Sequence, residues 1–257
     1  MKKMLDMVVC ENEQLNYQNH LLKVRPASGE ELPAMLPGQF VQISVTSPSV
    51  FLRRPISVNF VDKQTNQLWL LVQSIGKGTQ QICAVQKGDI LNLIFPLGNW
   101  FMLPDDPHKK ILLVGGGVGT APLLFLGKMA KEKGFSPHFL LGGRSKRDLL
   151  QLDDFEKFGT VFTTTEDDTH GEKGFVTHHS VWNNKYDAIY TCGPKPMMVA
   201  VAKLAKEKGI ECQASLENLM ACGFGACLCC TEKTTRGNLC SCTEGPVFNT
   251  NELTWTD

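Results

Sequence analysis

The 257-residue chain balances 26 basic against 26 acidic side chains, has no basic stretch interleaved with aromatics, and holds no apolar run near the ~18 residues of a membrane span. Nucleic acid and membrane surfaces are therefore not expected as partners, and a short, polar first segment interrupted by Asp6 argues against an export leader, so the expectation is a cytoplasmic protein. Ten cysteines stand out, and in a reducing compartment the six packed into the 21 residues from Cys222 to Cys242 point to metal ligation rather than to a disulfide framework.

Residues 1–104 read as a β-domain. Short β-branched or alternating segments over 40–45, 56–60, 68–72 and 90–94 are separated by turn material at Leu36-Pro37-Gly38, Asp62 to Asn66 and Lys87-Gly88-Asp89, which predicts an antiparallel barrel. One short helix is expected over 79–85, with Thr79 as its cap. Two motifs in this barrel carry possible chemistry. In Arg53-Arg54-Pro55-Ile56-Ser57 an arginine can pair with a pyrophosphate, and a hydroxyl a few residues on can reach the edge of a flavin ring. In Gly76-Lys77-Gly78-Thr79 the amides of a helix start can hold phosphate. Taken separately, each motif has an ordinary explanation, a solvated arginine pair and a capped turn.

Past the polar stretch 104–110 the pattern changes. An apolar run over 111–114, a glycine loop, a helix over 121–133 stopped by Gly134, strands over 138–141, 161–165 and 188–191, and a helix over 196–208 stopped by Gly209 predict a doubly wound parallel sheet over 105–212. The loop Gly115-Gly116-Gly117-Val118-Gly119-Thr120-Ala121-Pro122 is not a Rossmann fingerprint, because the third glycine would fall on Thr120. The order of strand, glycine loop and helix still leaves a phosphate-sized gap at a helix start, and Cys192-Gly193-Pro194 ends a later strand of the same sheet. Capping explains either loop alone; two at one sheet edge favour a dinucleotide.

Residues 213–257 form a cysteine-rich module. Cys222, Cys227 and Cys230 follow C-x4-C-x2-C, the plant-ferredoxin order for a 2Fe–2S cluster, and Gly223, Gly225 and Ala226 leave room for amides to approach the sulfurs. Four thiolates can also hold zinc, although zinc knuckles favour paired C-x2-C spacings. Spacing leaves the fourth ligand open between Cys240 and Cys242, and Cys229 makes an unusual C-x1-C gap.

Arg54-x-x-Ser57, the glycine loop and Cys192-Gly193-Pro194, in that order, resemble the ferredoxin–NADP reductase superfamily. The tail, Met220-Ala221-Cys222-Gly223-Phe224-Gly225-Ala226-Cys227 and Cys242-Thr243-Glu244-Gly245-Pro246-Val247-Phe248, resembles the electron-transfer subunits of class B dihydroorotate dehydrogenases, and the likeness covers essentially the whole chain. In that family the last ligand stands two residues before Gly-Pro-Val-Phe, which implies Cys242 and leaves Cys240 free. The resemblance implies FAD held by Arg54, Pro55, Ile56, Ser57, Leu71, Val72, Gln73, Gly78 and Thr79, and NAD(H) held by Gly115, Gly116, Gly117, Gly119, Thr120, Cys192, Gly193 and Pro194. Relatives often carry an aromatic at the position of Ile56, so stacking on the flavin is expected from elsewhere. The same resemblance favours NAD over NADP, although Arg144, Lys146 and Arg147 form a basic group of the kind that holds a 2′-phosphate.

No placed base beside an oxyanion site is visible, so no catalytic residue is expected on this chain and substrate chemistry falls to a partner. The resemblance implies an FMN-binding dihydroorotate dehydrogenase subunit, two copies of each chain, and an NAD-dependent oxidoreductase complex of pyrimidine biosynthesis. The alternatives are a flavin subunit of another complex, such as a ferredoxin:NADP oxidoreductase or a sulfide-related reductase, and a zinc-stabilised binding module.

Overall fold

A computed structural model describes residues 2–45 and 50–255. In the first third, strict alternation builds a closed antiparallel barrel of six strands, ordered β1-β2-β5-β4-β3-β6. These are β1 (Lys3–Gln14), β2 (Asn19–Pro26), β3 (Phe40–Ile43), β4 (Arg54–Asp62), β5 (Gln67–Gln73) and β6 (Ile90–Leu97). Every second side chain points inward, so that Met7, Val9, Leu22, Val24, Val41, Ile43, Val58, Leu70, Val72 and Leu93 fill one core. Helix α1 (Lys77–Ala84) adds Ile82 and Cys83 to that core.

The helix begins two residues before the expected start, and Thr79 is not its cap. Gly76 takes the extended cap conformation, and the Thr79 hydroxyl reaches back to accept the Ile75 and Gly76 N–H groups at 3.0 and 3.1 Å. A threonine at the third helical position thus accepts the N–H of the capping glycine, the half of a capping box that does not need a side chain on the cap.

The second region is a seven-stranded, mostly parallel sheet: β7 (Ile111–Gly116), β8 (His138–Gly143), β9 (Thr160–Thr165), β10 (Glu172–Lys173), β11 (Ala188–Cys192), β12 (Glu211–Ser215) and β15 (Val247–Asn249), in the order β10-β9-β8-β7-β11-β12-β15. Its central strand β7 begins as a continuous apolar run because helices cover both faces of the sheet. Helix α2 (Ala121–Glu132) packs Leu123, Leu124 and Leu126 with Phe139 and Tyr190 on one face. On the other, α4 (Lys195–Glu207) packs Val201 and Ala205 with Leu112, Val114 and Ile189. A short helix, α3 (Leu152–Glu156), closes the first face through Phe155.

The tail contributes a hairpin, β13 (Thr231–Thr234) with β14 (Gly237–Cys240), and the strand β15, which adds antiparallel to β12. Strand β12 runs across the expected division at residues 212 and 213, so the sheet and the cysteine module share an edge. Barrel and sheet are also tied: Asn59 of β4 donates to the Ala121 carbonyl at 3.1 Å and to Gln151 at 3.0 Å, and Phe60 meets Phe125 of α2. Among the described residues no helix is long and apolar enough to cross a membrane.

Candidate functional site

The two arginines at the start of β4 have different surroundings. Arg53 turns to the barrel wall and donates to the carbonyls of Gln42 and Asn92 at 3.2 and 3.0 Å and to Asn92 Oδ1 at 2.6 Å. Arg54 lies across the start of α1. A Cβ on Gly78 would stand 2.9 Å from its Cζ and 3.0 Å from its Nη2, so a glycine is needed there for the guanidinium to reach the helix end. The two barrel motifs therefore meet: one cation beside the opening amides of one helix, an arrangement suited to a pyrophosphate.

Other residues of the expected flavin set are placed differently. Val72 points into the barrel core and offers a ligand only its backbone, whereas Ile56 packs against that core and stays partly exposed. Leu71 is 2% exposed and joins Ala121 and Leu150 between barrel and sheet. The Thr79 hydroxyl is spent on its own turn. Pro55, Ser57 and Gln73 are half-buried on the same strands.

At the second expected site the loops touch. Strand β7 has β8 on one side and β11 on the other, so the chain winds outward through β8, β9 and β10 and returns across β7. Such a switch point opens a crevice beyond the strand ends. Gly115 pairs with Cys192 there, and a Cβ on Gly119 would stand 2.6 Å from the Gly193 nitrogen. The two glycine backbones are thus in direct contact. Gly117, at φ +56, has open space where a side chain would be, whereas Gly116 faces Met197 and Pro194. Thr120 is 3% exposed and donates to the Gly117 carbonyl at 2.9 Å, locking the turn. Cys192 is equally withdrawn: its thiol lies in the α2-side core, and burial, followed by the charge of Glu217, pushes it well above the usual thiol range.

No regular element spans residues 216–230, which hold four of the six clustered cysteines. Gly223 (φ +80), Leu228 (φ +58) and Gly225 (φ +88) bend this loop. The Gly225 N–H donates to Cys242 Sγ at 3.2 Å and the Phe224 N–H to Cys222 Sγ at 3.5 Å. The thiols of Cys222 and Cys227 are neighbours, as are those of Cys230 and Cys242, and Cys222 lies within charge range of Cys242. Burial would raise Cys222, but the amides of Phe224, Cys227 and Ala226 outweigh it and bring the thiol down to about 6. Burial and its neighbour Cys230 push Cys242 up to about 12. Cys240 touches Cys230 and Thr231, and Cys229 is exposed. Of the apolar residues beside these cysteines, Met220 packs with Phe40 and Leu97, whereas Leu219, Phe224 and Leu228 are 86%, 51% and 64% exposed.

Two polar residues that sequence reasoning passed over belong to this neighbourhood. Gln42 of β3 is 0% exposed, lies against Gly223, and finds no partner for either amide atom among the described residues. An unpaired buried amide costs about 1–3 kcal/mol per group. Glu217 is reached by solvent yet crowded on its other sides, and that burial raises its carboxyl above the usual range beside Cys192. Neither carries a motif; only the packing of tail on barrel and sheet makes them visible.

Residues 217–254 match the iron-sulfur cluster binding domain of dihydroorotate dehydrogenase B, and residues 113–203 match an oxidoreductase NAD-binding domain. The chain is 40% identical over 224 residues to the dihydroorotate dehydrogenase B (NAD(+)) electron transfer subunit of Caldanaerobacter subterraneus subsp. tengcongensis, covering 84% of this chain and 86% of that one. To the subunit of the same description from Fusobacterium nucleatum subsp. nucleatum it is 34% identical over 255 residues, 96% of each chain. Among solved structures it is similar to a chain of an NADH-dependent reduced ferredoxin-NADP oxidoreductase, with TM-score 0.86, 29% identity and 98% of this chain and 90% of that chain covered. The ferredoxin reductase of a carbazole 1,9a-dioxygenase shares the fold at TM-score 0.69 and 22% identity, over 81% of this chain and 67% of that chain.

Proposed function

The chain belongs to the family of electron-transfer subunits of NAD-dependent dihydroorotate dehydrogenase B, and from that premise we propose that it carries electrons between an FMN-binding dihydroorotate dehydrogenase subunit and NAD+ through one FAD and one 2Fe–2S cluster. The observation that carries this is the cysteine loop: two neighbouring thiol pairs, Cys222 with Cys227 and Cys230 with Cys242, with backbone N–H groups directed at two of the sulfurs. Paired thiolates suit two irons better than one tetrahedral zinc.

Arg54 and the first amides of α1 hold the FAD pyrophosphate, and Ser57 and the ends of β4 and β5 line its ring. Gly119 and Gly193 let the two loops pack backbone against backbone, and Gly117 leaves open space beside them, so a dinucleotide backbone can lie against the opening turn of α2. When bound, the flavin exchanges a hydride with nicotinamide and single electrons with a cluster, chemistry that belongs to the cofactors. The protein's part is placement: β4 is bonded to the start of α2 through Asn59, so flavin strand and nucleotide crevice are fixed to each other. Carbon chemistry takes place on the partner subunit, and two copies of each chain make the complex.

Leu219, Phe224 and Leu228 ring the cysteine loop as an exposed apolar surface, suited to burial against that partner. Co-expression with an FMN-binding dihydroorotate dehydrogenase is expected to yield a complex that reduces NAD+ with dihydroorotate, and Phe224→Asp to weaken it at least tenfold with the iron retained. A complex inert toward dihydroorotate would favour instead a ferredoxin-linked oxidoreductase, the second reading, which the 29% identity over 98% of the chain supports.

A further inference from the structure

Gln42 sits where the barrel, the strand carrying Arg54 and the cysteine loop meet. Alternation along β3 sends Val41 and Ile43 into the barrel core and turns Phe40 and Gln42 outward. An outward glutamine on a barrel strand would ordinarily be wetted by solvent. Here all four residues of β3 are buried, because the tail lies over them. Phe40 packs against Cys230 and Cys242, and Gln42 lies against Gly223, the residue after Cys222. A Cβ on Gly223 would stand 2.7 Å from Gln42 Nε2, so the loop crosses the amide at a residue with no side chain. Both polar atoms of the amide remain without a partner among the described residues.

Buried amides in folded proteins are almost always paired. An apolar side chain of the same size would fill this slot with no such cost, so the amide requires an acceptor. Backbone N–H groups of the loop already serve the Cys222 and Cys242 sulfurs, and the Gln42 amide stands against the same loop from the barrel side. We propose that Gln42 Nε2 donates a hydrogen bond to the cluster, at a sulfide or cysteine sulfur facing the barrel, and thereby raises its reduction potential. This rests on the four cysteines holding a 2Fe–2S cluster. An N–H dipole favours the reduced cluster, which carries one more negative charge, over the oxidised one. Gln42 also pairs across β3 and β4 with Pro55, next to Arg54, so one strand pair bears both the candidate flavin cradle and the donor to the cluster. Gln42 is a positioning residue that sets the cluster's potential relative to the flavin.

The test uses the full chain with its cofactors. Gln42→Met keeps the volume and removes the donor. It is expected to retain iron, leave the flavin midpoint unchanged, and lower the cluster midpoint by about 60 mV, a tenfold shift for a one-electron couple at 59 mV per decade. Full iron with an unshifted cluster midpoint overturns the proposal, since a packing role alone would change iron content or stability and not the potential. If the variant does not load iron, the wild-type chain decides: with glutamine side-chain nitrogen labelled as 15N, pulsed EPR of the reduced cluster is expected to show a 15N coupling, and its absence overturns the proposal. A wild-type chain with no two-iron EPR signal on reduction overturns the cluster assignment itself, and a normal signal separates that failure from the failure of Gln42.

Discussion

The nucleotide crevice and the cysteine loop lie on the same chain but are held in place by different means. At the crevice, Gly119 meets Gly193 because β7 and β11 are neighbours in register, Gly115 opposite Cys192, and hydrogen-bonded strands fix both ends. The cysteine loop has no ladder beneath it from residue 216 to 230, three of its residues take positive φ, and a buried amide beside it lacks a partner among the described residues. A sheet holds the first site whether or not a ligand is present. The second needs what its thiols bind, and removing that group should loosen it alone.

The largest expected effect comes from separating the two sites. Cys242→Ser should lose most of its iron and all transfer to the partner, while NADH still reduces the flavin within about twofold, because the crevice does not depend on the loop. Cys240→Ser should keep its iron, because the loop's Gly225 N–H is donated to Cys242 Sγ and not to Cys240. Iron content and the visible spectrum of the two variants decide this. Iron kept by Cys242→Ser and lost by Cys240→Ser would reverse the assignment.

The converse change belongs at the crevice. Gly119→Val places carbon where the Gly193 backbone already stands, so the loops must part by an ångström or more. Displacement on that scale costs about a hundredfold in rate for a positioned reactant. Flavin reduction by NADH should fall by about that factor with the cluster spectrum intact. A variant with wild-type kinetics would show that the nucleotide lies elsewhere.

The same contrast explains what was legible in the sequence. Alternation and glycine stops announced the barrel, the sheet and α2, because local pattern decides those elements. Strands β1 and β2 are harder to read, since β1 ends in Glu11, Asn12, Glu13 and Gln14, polar residues paired with β2 on the outside of the barrel. Strand β15 has three residues and exists because β12 offers it an edge. The cysteine spacing was readable as chemistry, but the burial of Gln42 was not. A glutamine in a strand looks solvated until a distant loop is folded over it. Likewise Val72, Leu71 and Cys192 lie on strands β5 and β11 with side chains that serve the core, so any ligand there would meet their backbone and not their side chains.

The smallest effect expected lies at the seam between the two sites, where Glu217 leads from β12 into the cysteine loop. Burial holds its carboxyl above the ordinary value of 4.5 in the folded chain. Below that value both folded and unfolded chains are protonated, and the residue costs nothing. As pH rises past it the unfolded chain ionises first, so stability falls until the folded carboxyl ionises too, and the penalty is then constant. Glu217→Gln never ionises and escapes the penalty. The variant should therefore be more stable than wild type at pH 8, by no more than about 1 kcal/mol because solvent reaches the group and screens it. The difference should shrink as pH is lowered toward 5, a range in which thermal midpoints of both proteins can be compared. A gap that stays constant across that range would mean that the carboxyl is ionised throughout in the folded chain. Glu217 would then be an ordinary solvated acid at the mouth of the crevice, with no part in joining the rigid site to the one its metal completes.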